Sequence, residues 1–378
     1  MSKQETAVAS FENVDDLRAA LQLKQAFGAV DLYPRDGTCA LYDLEQNVAE
    51  LVGVEADELL LCNSGMAAVV AVLETAANTD TTLAISEQTY AQTARYIESY
   101  LRPRIKKLVR FDSGCTTSVS RVVERACPDV VLSETTGNGP DVPILDVKHL
   151  LSLPHITKRS PIVILDNTLP LSTAEPLAEH LDGDTRVVAV ESGTKSYAFN
   201  NELLGILYTK HPQLLQELRE RRRTTGITPN VAAIERISSY LPESDTFHTR
   251  NRAIFRATAQ IAIAACEATA DSCEAFVSHP ILRSHPNHKL AAQRLQYGSS
   301  PVFFIHAFGK INQFELTEKL WEHPTIRETC ELGQSFGFNK TRILPDANYP
   351  AVRVSGGARS DGEHIGAAFA EVLSNCSA

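Results

Sequence analysis

Residues 191–201 read ESGTKSYAFNN and continue the apolar run RVVAVES, so Ser192, Thr194 and Lys195 fall together at the end of a strand-like segment. A lysine in that place has two readings. It is a solvated residue of a strand-to-loop turn, or it is an amine that sheds its proton and attacks an aldehyde as a Schiff-base lysine. In the second reading the hydroxyls of Ser192 and Thr194 hydrogen-bond a phosphate. Asp166 in ILDNT ends another apolar run. An acidic residue there is a turn or helix-cap residue, or the partner that keeps a pyridine nitrogen protonated so that the ring withdraws electrons from a reacting carbon. Ser64, Gly65 and Met66 in NSGMAAVV lie between a strand-like and a helix-like stretch. Backbone N–H groups at such a helix start attract anions; the plain alternative is an ordinary helix with an Asn or Ser cap.

These groups need a scaffold that gathers strand ends. Between about Glu45 and Glu220 the chain alternates the apolar runs LLLC, TLAIS, KLVRF, DVVLS, PIVILDN, RVVAVES and LLGILYT with amphipathic stretches such as GMAAVVAVLETAA and AQTARYIESYL. Most runs are continuous and rich in β-branched residues, as strands buried on both faces tend to be. The alternation predicts an α/β domain with a mostly parallel sheet covered by helices, and in such sheets ligand groups gather at strand ends. VDDLRAALQLKQ reads as a helix and DLYPRDGTCA as an irregular arm. Beyond Arg223 the rhythm changes: NRAIFRATAQIAIAACEATA is a long helix, PVFFIHAF and AVRVS are strands of a second, mixed lobe, and GEHIGAAFAEVL is a closing helix. The expected division is an N-terminal helix and arm over 1–44, a large domain over 45–235 and a small domain over 236–378.

Composition narrows the function classes. A net charge of -10 argues against nucleic acid or an anionic membrane as partner. No apolar run approaches the roughly 20 residues that span a bilayer, and MSKQETAVAS lacks the apolar core of a secretory signal. The 8 cysteines are scattered without a CxxC pair, which fits reduced thiols of a cytoplasmic protein better than a disulfide framework. Weaker signals have plain readings. His279, His285 and His288 lack a convincing metal-ligand spacing, so no metal is expected, and RERRR (219–223) reads as a solvated helix face. GNGP is turn chemistry, since no GxGxxG stands between a strand and a helix.

The order of phosphate turn, aspartate and lysine, each at a strand end, resembles that of the pyridoxal-phosphate enzymes of the cystathionine γ-synthase (Cys/Met metabolism) family. The resemblance runs from about Tyr33 to the C-terminus and is weaker between Arg223 and His279. It implies the aspartate-aminotransferase-like fold (type I), an α/β architecture with a seven-stranded, mostly parallel sheet in the large domain and a smaller C-terminal α+β domain. It implies pyridoxal 5'-phosphate as cofactor, with Lys195 as the Schiff-base residue and Ser192 and Thr194 as phosphate ligands in a Ser-x-Thr-Lys motif. Asp166 matches the partner of the ring nitrogen, and Ser64, Gly65 and Met66 the phosphate turn. Tyr90 in TYAQT matches the tyrosine that stacks on the ring and assists proton movement. Asn138 in ETTGNG matches the asparagine near the ring hydroxyl. Tyr33 and Arg35 match an arm that reaches the phosphate of a partner subunit, which implies a homodimer or homotetramer with shared sites. Arg353 in VRVSGG is similar to the arginine that holds the substrate α-carboxylate, and Ser335 in QSFGF to the serine that assists it.

The resemblance implies γ-elimination or γ-replacement on a γ-substituted L-amino acid, through the Lys195 Schiff base. The alternatives are a β-eliminating lyase, an aminotransferase, or a non-catalytic partner protein of the same fold. Departures from the pattern cluster around the pocket. Thr38, Cys39 and Ala40 replace an Asn-Pro-Thr continuation of the arm. Ala91 and Gln92 replace small residues after the tyrosine. Phe199 replaces a glycine, which is expected to fill space near the cofactor or to reroute the loop.

Overall fold

All seven apolar runs form strands of one sheet. The computed structural model describes residues 38–172, 176–270, 275–308, 311–347 and 349–376; the helix expected in VDDLRAALQLKQ, and Tyr33 and Arg35 in the arm, lie outside them. The strands are β1 (Leu59–Cys62), β2 (Thr82–Ser86), β3 (Lys107–Phe111), β4 (Val130–Glu134), β5 (Ile162–Asp166), β6 (Val187–Glu191) and β7 (Gly205–Tyr208). Their order is β1-β7-β6-β5-β4-β2-β3. Every pairing from β6 to β3 is parallel, and β7 runs antiparallel to both neighbours. Two reversals leave β1 pointing the same way as β6. The carboxyl ends of β1, β2, β4, β5 and β6 therefore share one edge of the sheet.

Continuous apolar runs suit strands buried on both faces. Leu59 and Leu61 of β1 enter one core while Leu60 and Cys62 enter the other; on β5, Val163 and Leu165 oppose Ile162 and Ile164. The period-2 alternation of side chains thus feeds two cores from every strand. Helix Cys39–Val52 and helix Val231–Tyr240 close the first core, and helices Gly65–Ala76 and Pro212–Thr225 the second. The segment read as arm already turns helical at its end, because the Thr38 hydroxyl accepts the Leu41 N–H at 3.2 Å and caps Cys39–Val52. That helix spans the 44/45 boundary, and Val231–Tyr240 spans 235/236, with Ile234 and Ile237 both in the large-domain core.

RERRR is not wholly a solvated face, contrary to the sequence expectation. Arg222 is buried and pairs with buried Glu45, and its Nη1 also donates to Leu61 O at 3.1 Å. Helical spacing from Leu214, Leu215 and Leu218 carries Arg222 onto the inward face. Glu45 also accepts the Leu61 N–H at 2.9 Å, so the pair is hydrogen-bonded as well as charge-matched, the condition under which buried ions are tolerated.

The second sheet has the order β10-β11-β12-β9-β8. It comprises β8 (Ala275–Ser278), β9 (Val302–Ala307), β10 (Cys330–Leu332), β11 (Thr341–Pro345) and β12 (Ala351–Ser355). PVFFIHAF and AVRVS become the adjacent strands β9 and β12. Helices Ser244–Ala268 and Gly362–Cys376 pack on this sheet and on each other. Their closeness rests on glycine: a Cβ on Gly362 would stand 2.8 Å from Ala257 Cα. Among the described residues, no helix is long and apolar enough to cross a membrane.

Candidate active site

One cavity of about 450 Å³ opens at the shared edge of the large sheet. Its wall contains Ser64, Gly65, Met66, Tyr90, Asn138, Asp166, Ser192, Thr194, Lys195, Ser335 and Arg353. The structure thus brings together every site residue expected from the sequence except Tyr33 and Arg35, which lie outside the described residues.

One end of the cavity is built from the ends of β1 and β6. Ser64 caps helix Gly65–Ala76, accepting the Ala67 N–H at 3.1 Å. Gly65 is forced by close approach, since a Cβ there would meet Ser192 Cβ at 2.8 Å. The helix start and the Ser192 turn therefore abut on the cavity wall. Thr168 ties this turn to the aspartate: its hydroxyl accepts the Ser192 N–H at 2.8 Å, and its own N–H donates to Asp166 Oδ1 at 3.0 Å. Thr194 is partly committed elsewhere, its hydroxyl accepting the Leu204 N–H at 2.9 Å.

Lys195 lies in a short helical turn, Gly193–Ser196. Its Nζ donates to Ser335 Oγ at 2.6 Å and to Asn200 Oδ1 at 3.1 Å. Burial, and then the charges of Arg353 and Arg342, push the amine below the ordinary lysine range. That direction favours the neutral, nucleophilic form. Ser335, expected beside the arginine, is here bonded to the lysine.

Asp166 and Glu134 end adjacent parallel strands and are direct partners in register. Glu134 was missed from the sequence. It accepts the backbone N–H of Tyr90 with one oxygen and that of Asn138 with the other, the latter at 2.8 Å. Burial, reinforced by the Asp166 charge, raises Glu134 well above the usual carboxylate range; burial also raises Asp166, against the Thr168 hydrogen bonds. Two carboxylates so placed cannot both ionise cheaply unless a cation joins them. One signal was available: Glu134 closes the apolar run DVVLS just as Asp166 closes PIVILD. Glu191, below this layer, is held at about 7 by burial, offset by hydrogen bonds from Ser172, Tyr208 and Asn167.

Arg353 comes from β12 of the small domain. Its Nη1 donates to Asn138 Oδ1 at 2.8 Å, and its buried Nε has no hydrogen-bond partner among the described residues. Burial lowers it to about 10, against the opposing charges of Asp346, Glu134 and Tyr90. A buried fork with one free donor on a cavity wall fits a carboxylate. Tyr90 remains 42 % exposed and lines the cavity with Gln92.

Phe199 does not line the cavity, against the expectation that it fills space there. It keeps a left-handed backbone at φ 47°, and Asn200 follows at 61°. The ring turns away from the cavity and stacks under Arg250, with the guanidinium carbon 4.6 Å from its centroid. The three histidines each meet a backbone carbonyl: His279 at Ser300 O (3.0 Å), His285 at Asp141 O (2.6 Å) and His288 at Pro280 O (3.0 Å).

The family model "Cys/Met metabolism PLP-dependent enzyme" matches residues 4–344. A search of curated proteins gave no match. Among solved structures, cystathionine gamma synthase from Xanthomonas oryzae pv. oryzae in complex with cystathionine superposes with a TM-score of 0.75 at 19 % identity, covering 93 % of this chain and 89 % of that one. MetB from Corynebacterium glutamicum gives 0.74 at 20 % identity, with coverages of 92 % and 88 %. Apo CalE6, a methionine gamma lyase from Micromonospora echinospora, gives 0.72 at 20 % identity, with 90 % and 88 %. At these identities the structures establish a shared fold, and it is the type I architecture expected. With the family model covering most of its length, the chain belongs to the Cys/Met metabolism family of pyridoxal-phosphate-dependent enzymes.

Proposed function

We propose that the protein eliminates or replaces the γ-substituent of an L-amino acid. The observation that carries this reading is the meeting, in one cavity, of the Lys195 amine, the Asp166 carboxylate and the Arg353 fork. The residues present fit the family's cofactor: a glycine-tight helix start against Ser192, a buried carboxylate and a lysine of lowered basicity. When bound, pyridoxal phosphate supplies an electron-withdrawing ring that acidifies the carbons of an attached amino acid.

The chain's own residues do the rest. The N–H groups of Gly65 and Met66, with Ser64, Ser192 and Thr194, hold the phosphate. Asp166 holds a proton on the ring nitrogen. Arg353 fixes the α-carboxylate, so that the α-hydrogen faces Lys195, and Asn138 aims that arginine. Lys195 removes this proton and delivers it elsewhere along the substrate, with Ser335 and Asn200 receiving Nζ between transfers. Tyr90, which lines the cavity, would cover the ring. Gln92 lines the same cavity and would face the substituent.

The test is turnover of γ-substituted and β-substituted amino acids by the purified enzyme, followed through ammonia, oxo acid and new amino-acid products. Release of a γ-substituent is expected. Turnover confined to β-substituted amino acids, or oxo acid formed with amino transfer and no lost substituent, would replace the reading with β-elimination or transamination.

Glu134 acts as a positioning residue, since its two oxygens hold the backbone at Tyr90 and Asn138. Glutamine can accept only one of those N–H groups and turns its amide N–H₂ toward the other. Glu134→Gln is therefore expected to raise KM for the amino acid about 10-fold, as one mispaired buried donor costs about 1–3 kcal/mol, with a smaller change in kcat and the cofactor retained. Because Glu134 titrates above the ordinary carboxylate range, wild-type KM should climb toward the variant's as pH falls through that raised value. The variant's KM should stay flat there. Equal KM and parallel pH profiles would remove Glu134 from the role.

A further inference from the structure

A second cavity of about 450 Å³ lies outside the active site, sharing no wall residue with it. It sits between the first turns of helix Ser244–Ala268 and the segments holding Asn339 and Arg359. Arg250, Arg359, Thr249 and Asn339 line it, with Asp245 the one acidic residue on its described wall. Neither arginine forms an ion pair among the described residues, Asp245 included. Arg250 is fixed in place: Nη2 donates to Gly337 O at 2.7 Å, and Phe199 lies under the guanidinium. Its Nη1 is buried with no hydrogen-bond partner among the described residues. Burial and the neighbouring Arg359 charge lower Arg250 to about 10. Two cations thus line one cavity with Asp245 as the single carboxylate on its described wall, and neither is ion-paired among the described residues. Arginine forks with hydroxyl and amide neighbours suit an oxyanion.

We propose that this cavity binds a small oxyanion, either inorganic phosphate or an organic dicarboxylate. The site is wired to the active centre. Gly337, which receives Arg250, packs so closely on the lysine turn that a Cβ there would stand 2.8 Å from Lys195 O. Asn200 bridges the same parts, donating to Phe336 O at 3.1 Å and accepting from Lys195 Nζ. An anion drawing on Arg250 therefore loads the strap 335–337, whose Ser335 holds the lysine amine.

The experiment is thermal unfolding of the cofactor-loaded enzyme, with its own phosphate seat filled. Inorganic phosphate and succinate are titrated separately, each against sodium chloride at matched ionic strength. A saturable rise in Tm, on the order of 2 °C or more for a ligand well above its Kd, is expected for at least one oxyanion. The arm that responds identifies the ligand as phosphate or dicarboxylate. Arg359 is exposed and outside the active-site cavity. Arg359→Ala should leave turnover in oxyanion-free buffer unchanged while losing the rise. No rise above chloride in either arm, or a rise that survives in Arg359→Ala, would overturn the proposal.

Discussion

Lys195→Ala is expected to yield a folded, colourless protein with no measurable turnover. In the proposed mechanism the amine is the nucleophile and the mobile base in one residue, and among the described residues no other lysine lines the cavity. Catalysis that routes every proton through one group collapses when that group is removed. The measurements are visible absorption, borohydride trapping of cofactor on the chain, and exchange of the substrate α-proton with solvent. A variant that still traps cofactor covalently at one per chain would exclude Lys195 as the attachment point. The same variant tests whether sites are shared, as the resemblance of Tyr33 and Arg35 to a cross-subunit arm implies. Mixed with Arg35→Ala under conditions of subunit exchange, it should regain part of the activity, because some hybrid dimers hold one site free of both lesions. Exchange without recovery would mean that each arm serves its own subunit.

Asp166→Asn is expected to slow α-proton removal by about 10² or more, the scale seen when one preorganised electrostatic partner is lost. The substitution keeps the shape and the Thr168 hydrogen bond but removes the charge proposed to hold a proton on the ring nitrogen. It also leaves Glu134 without its charged neighbour, whose repulsion contributes to that residue's raised value. Glu134 should then titrate at lower pH than in the wild type. Tritium or deuterium exchange at the α-carbon reads the chemical step directly. An exchange rate equal to wild type would show that the ring nitrogen is held by some other group.

Much of this architecture is written locally. The seven apolar runs name the strands of the large sheet, because a strand buried on both faces needs apolar residues at consecutive positions. The residues that close them, Asp166 after PIVIL and the Ser192–Lys195 turn after RVVAVE, are legible for the same reason: polar groups at the end of a buried strand must face a ligand, a loop or water. Helix starts are local as well, as with Ser64, whose cap and following glycine stand beside each other in sequence. The helix begun at Thr38 was hidden because its cap lies in a segment whose Pro and Gly suggested an irregular arm.

Pairings between distant residues were not legible. Glu134 stands beside Asp166 through the β4–β5 register, and no periodicity within either strand states that register. Ser335 reaches Lys195 across 140 positions, and Arg222 finds Glu45 across 177; each contact exists only once two units are packed. The direction of Phe199 was likewise undetermined, since its backbone φ and the position of Arg250 together decide which side of the loop the ring takes. The sequence by itself determined the sheet, its strand ends and the chemical types standing there, because hydrophobic period and strand termination are properties of neighbouring residues. Only the tertiary structure decided which carboxylate sits beside which, where the lysine amine rests, and that two unpaired arginines share a second cavity, because those are distances between segments that the chain brings together only on folding.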